Sequence, residues 1–125
     1  MKQKTYKTLI IAIILALSSF TILQFKQEKE LIVGTWNYID EVNNKWIFTK
    51  DQCLWQYDNE TIDTFTYHIT EETATNGVVF SYLKLVNISD SSDVYDYEIN
   101  ALNENNLALD YLGDLNEKLM LFEKQ

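Results

Sequence analysis

From residue 31 onward, apolar and polar positions alternate with a period of two almost everywhere, the repeat of a strand that buries one face. The alternation predicts eight strands, at residues 32–39, 45–49, 53–57, 63–70, 78–86, 94–100, 106–112 and 117–122. The breaks between them carry turn chemistry: Glu41-Val42-Asn43-Asn44, Lys50-Asp51-Gln52, Asp58-Asn59-Glu60, Asn76-Gly77, residues 87–93, Asn103-Glu104-Asn105 and Gly113-Asp114. Such residues accept positive φ or cap their own backbone. Connections this short force antiparallel neighbours, and no helical segment of ten residues interrupts them. The pattern therefore predicts an all-β fold, a small up-and-down antiparallel barrel of about eight strands, whose closure removes exposed edges.

Ahead of the barrel the pattern changes. Lys2, Lys4 and Lys7 precede an unbroken apolar stretch at residues 9–17, and Ala16-Leu17-Ser18 offers small residues where a signal peptidase reads. Residues 20–25 stay mostly apolar, so residues 9–25 also read as an uncleaved anchor at the short end of what spans a bilayer. Both readings remain open here. In either, the positive terminus stays in the cytoplasm and the domain is delivered to the periplasm, cell envelope or exterior. The expected organisation is a signal peptide or anchor at 1–25, a short polar linker at 26–30 and the barrel at 31–125.

Composition narrows the picture. A chain of 125 residues, 46% hydrophobic and 14% aromatic, supplies one core and no second domain. Its single cysteine, Cys53, excludes an intramolecular disulfide and reads as a small buried hydrophobe rather than a reactive thiol; its position along the chain, well inside the predicted domain, also closes a lipoprotein route. The formal charge is -9, and beyond the N-terminal lysines seven Lys oppose nineteen Asp and Glu, with no Arg. So acidic a surface repels phosphate backbones and anionic lipid, which excludes nucleic acid as a partner and limits membrane contact to residues 9–25 if uncleaved.

Leu31-x-x-Gly34-Thr35-Trp36, then Trp46-Ile47-Phe48, then Tyr97-Glu98-Ile99 leading to Asn106-Leu107-Ala108-Leu109, resembles the short lipocalin-like domains of exported bacterial proteins across residues 31–125. The resemblance implies that Gly34 lets the chain bend at the closed end of the barrel and that Trp36 plugs that end. Lipocalins commonly lay an Arg across this Trp as a cation-π contact. This chain has none, leaving Lys118 or Lys124 for the role. The resemblance also implies that the barrel binds a small apolar molecule, and eight strands leave an interior either filled by side chains or able to hold one small ligand. Among the alternating aromatics, Trp55, Tyr57, Tyr67, Phe80, Tyr82, Tyr95 and Tyr97 are the candidate ligand-binding residues at the mouth.

Catalytic chemistry finds little support. His68, the single histidine, falls on the face opposite Phe65, Tyr67 and Ile69 and so faces solvent, where no Ser-His or Cys-His pair forms. Asp96 with Glu98, and Asp58, Glu60 and Asp63, read as solvated carboxylates rather than an acid-base pair. Asp90-Ser91-Ser92-Asp93, with Asp96 beyond, gathers oxygen ligands but lacks the spacing, central Gly and terminal Glu of a calcium loop. The expectation is a non-enzyme without metal or cofactor. Two readings follow: a binder of a small hydrophobic or aromatic molecule, or a protein-interaction or envelope-assembly module with a filled barrel and a binding outer face.

Overall fold

A computed structural model describes residues 27–113 and 119–125. The expected signal or anchor at 1–25, and Lys118, lie outside the described residues. Leu31–Gln125 forms one compact unit, a closed barrel of eight antiparallel strands in sequential order. The strands are β1 (Gly34–Tyr38), β2 (Asn44–Phe48), β3 (Gln52–Tyr57), β4 (Glu60–Thr73), β5 (Val79–Asn87), β6 (Val94–Leu102), β7 (Asn106–Tyr111) and β8 (Met120–Lys124). Closure is made by β8 against β1, with Trp36 opposite Lys124 and Tyr38 opposite Phe122.

Several boundaries depart from the sequence pattern for physical reasons. Residues 27–31 are helical where a polar linker was expected at 26–30, in keeping with the helix-forming run Gln27-Glu28-Lys29-Glu30-Leu31. Ile32 lies ahead of β1, and its carbonyl accepts the indole N–H of Trp36 at 2.8 Å. The longest strand, β4, has 14 residues. Its lower part pairs with β5 from Glu71↔Ser81 to Thr73↔Val79, where the all-polar run Thr70-Glu71-Glu72-Thr73 hid the strand from an apolar count. Asp58 and Asn59 both have positive φ, 50° and 65°, as a two-residue type I′ hairpin requires.

Consecutive antiparallel strands place their turns alternately at two ends. The turns after β1, β3, β5 and β7 stand at one end, called the mouth here; those after β2, β4 and β6 stand at the other, together with the start of β1. Below the mouth the interior is packed: Trp36, Phe48, Cys53, Phe65, Leu83, Leu85, Leu107, Leu109 and Phe122 are almost completely buried. Inward positions alternate with outward ones along each strand, so this filled core is the direct product of the period-two pattern.

The closed end is built around Trp36. Its ring is fully buried, and the ammonium of Lys124 lies 5.2 Å from the ring centroid. The same ammonium donates to the carbonyl of Leu31 at 3.0 Å, so both the face and the N–H of the indole are occupied. Gly34 makes room: a Cβ there would lie 2.6 Å from Lys124 Cε, and its φ of +143° is one that L side chains rarely adopt.

Candidate functional site

The mouth holds a recess of about 220 Å³ lined by Asn44, Trp46, Trp55, Tyr57, Ile62, Tyr97 and Met120. Facing strands bring the aromatic members together. Trp46 on β2 stands opposite Trp55 on β3, and the two indoles stack at 4.8 Å with 21° between planes. Tyr97 meets Trp46 edge-on at 5.6 Å and 71°. Trp46 and Tyr97 are buried at the floor, whereas Tyr57 is 47% exposed at the wall. Behind Trp55 the network continues to Phe65 at 4.4 Å and to Tyr95 at 5.1 Å.

Ile62 reaches this recess through an irregularity. Between Trp55 and Gln56 the register slips, so that Asp63 and Thr61 are paired and Ile62 is left over. A bulge of this kind bends its strand and re-aims side chains.

Two carboxylates organise the neighbouring rim. The amide of Asn87, the buried polar residue of this region, donates to Asp93 at 3.0 Å and to Asp63 at 3.3 Å. Tyr95 is hydrogen-bonded to Asp93, and burial first, then this carboxylate, hold its hydroxyl above the usual tyrosine range. In the same turn Ser92 donates both its hydroxyl and its backbone N–H to Asp90, at 2.6 and 3.0 Å, which lowers the Asp90 pKa. The oxygen-rich segment 90–93 is thus engaged in its own turn. Among the described residues no group of three His, Cys, Asp or Glu side chains is arranged to hold a metal ion.

The nominated residues divide into three groups. Trp55, Tyr57 and Tyr97 line the recess, and Tyr95 packs directly behind Trp55. Tyr67 shares the inward register but stands towards the closed end, edge-on to Phe48 at 5.2 Å. Its hydroxyl donates to the carbonyls of Thr49 and Lys50, tying down the β2–β3 turn. Phe80 and Tyr82 do not join the mouth: Leu83 and Leu85 of the same strand are buried inside, which turns residues 80 and 82 to the outer face. Sequence reasoning did not nominate Asn44, Trp46, Ile62 and Met120. Trp46 was readable as the cross-strand partner of Trp55 once the 49–51 turn was set; Ile62 was not, because a bulge leaves no mark in the pattern.

The thiol of Cys53 is buried and its pKa is raised by that burial, against a smaller lowering by the Trp55 indole. It therefore remains a neutral thiol, unsuited to nucleophilic work. His68 is exposed on the outer face. There it lines a second groove of about 440 Å³ with Thr70, Glu72, Tyr82, Lys84, Asp96 and Leu112. Lys84 and Asp96 approach to 4.0 Å, each about half exposed, an ion pair of little energetic weight.

Comparison of the chain with protein-family models, curated proteins and solved structures returns no match.

Proposed function

We propose that the chain is an exported lipocalin-like barrel whose mouth binds a small hydrophobic or aromatic molecule without catalysis. The observation that carries this reading is the recess walled by Trp46, Trp55, Tyr57 and Tyr97. Its volume of about 220 Å³ lies below the ~300–1,000 Å³ of sites for drug-sized molecules, which suits a single ring or a compact head group. The lipocalin-like assignment is supported by the closed end, where Gly34, Trp36 and Lys124 form the crossing that the resemblance leads one to look for. Export is supported by the lysines ahead of the apolar residues 9–17. Mass spectrometry of the purified protein tests it: a start at Ser19 means cleavage, an intact start in the membrane fraction means anchoring, and a soluble full-length cytoplasmic chain refutes both.

The binding reading is tested with indole, quinones, porphyrins and fatty acids. A ligand at the mouth quenches tryptophan emission and raises the melting temperature, since binding only the folded state stabilises it by ~2.7 kcal/mol at a hundredfold excess over Kd. A second reading, a protein-interaction or envelope-assembly module, is favoured by the outer groove at His68 and Tyr82 together with exposed Val78, Val79 and Phe80 at the adjacent hairpin. A screen that moves neither signal transfers the assignment to that face.

A further inference from the structure

The recess that would hold a ligand is aromatic, carries no ionised side chain in its lining, and stands at the more negative end of the barrel. The described residues of the mouth-end turns include Asp40, Glu41, Asp58, Asp90 and Asp93 and not one lysine. Glu60 begins β4 beside Tyr57, its cross-strand partner, and Asp63 stands opposite Trp55. The nearest described cation on these strands is Lys45, which pairs with Asn37 and Gln56 and so belongs to the outward register. At the other end Lys50 and Lys124 accompany Asp51, Glu71, Glu72, Glu104 and Glu123, a smaller negative excess. The field of the turns therefore draws cations to the mouth and repels anions from it.

The lining then selects among cations. The π faces of Trp and Tyr attract positive charge, most strongly where water is excluded. A primary ammonium would bring three N–H donors, and with Asn44 and Tyr57 as the polar side chains of the wall they would not all be satisfied. An ammonium whose hydrogens are replaced by methyl groups loses no hydrogen bond on entry and presents an apolar surface to the rings. We infer that the mouth recess binds an N-methylated, quaternary-type organic cation, held against Trp55 and Tyr57 above the buried floor of Trp46 and Tyr97. This rests on the reading of the mouth as the ligand site and names the chemical class that the site prefers.

The test uses the full chain and a charge-isostere pair, choline and 3,3-dimethylbutan-1-ol, which share a shape and differ in one positive charge, with indole as the neutral aromatic probe. Calorimetry or tryptophan quenching should show choline binding about tenfold tighter than its neutral isostere at low ionic strength, in keeping with one or two good cation-π contacts. Added salt should erode the choline affinity and leave that of the alcohol in place. Tyr57→Leu, at a wall position that is 47% exposed, should remove several-fold of the choline affinity, whereas Tyr57→Phe, which keeps the π face, should retain it. Equal affinity for choline and the alcohol overturns the inference. Indole binding without choline binding also overturns it while leaving the mouth as a ligand site, and failure of all three probes overturns it too, with the wider screen of quinones, porphyrins and fatty acids deciding the mouth itself.

Discussion

The two ends of this barrel use the same residue type in opposite ways. At the closed end Trp36 has its N–H bonded to Ile32, one face under Lys124 and no exposed surface. At the mouth Trp55 is only partly buried and its ring borders an open recess. A tryptophan whose every group is satisfied fastens the fold; one left partly uncovered retains free energy to be released when something covers it. The contrast sets a fastened end against an open one along the barrel axis, and it makes testable demands.

The largest effect should come from Trp36→Ala, which removes a fully buried ring and should destabilise the domain by ~3–5 kcal/mol. Chemical denaturation checks it, and an unchanged midpoint would remove Trp36 from its role as the plug. Next, Gly34→Ala should lose ~1–3 kcal/mol, because φ of +143° strains any L side chain and Lys124 must also shift. Lys124→Ala in the same background should relieve the steric part and leave the backbone part. Alone, Lys124→Met should lose about 1 kcal/mol through the cation-π contact. Replacing Tyr57 by Leu at the mouth should alter stability by no more than ~0.5 kcal/mol, as expected of an exposed side chain.

Cys53 offers a reporter between the two ends. Its buried thiol should resist alkylation in the native protein at neutral pH and react once Trp36→Ala opens the core, yet stay protected in Tyr57→Leu. The same burial links stability to pH. Raised above its ordinary value of 9.0 on folding, the thiol contributes stability that is present below that value and lost as pH climbs towards the folded pKa. Tyr67 and Tyr95, both raised above 10.0, act with the same sign. The folded domain should therefore weaken progressively in alkali, as denaturation midpoints measured above pH 9 would show.

By itself the sequence determined the strand count, the sequential antiparallel order and the outward face of His68, because strand period and turn chemistry are local properties, written within a few residues of where they act. It also confined the partner at Trp36 to a lysine, since no arginine exists in the chain. Which lysine crosses the indole was decided by β8 closing on β1 with Lys124 opposite Trp36, a pairing across most of the chain. The mouth was likewise a tertiary decision. Period two says that Trp55, Tyr67 and Tyr97 share the inside but not at what height, so Tyr67 was grouped with residues from which the stagger of the strands separates it. Phe80 and Tyr82 lay on an apolar-rich run whose face only the inward anchoring of Leu83 and Leu85 resolves. Height along a barrel and the residue released by a bulge, here Ile62, depend on register between strands distant in sequence, and register is set by the whole core packing at once.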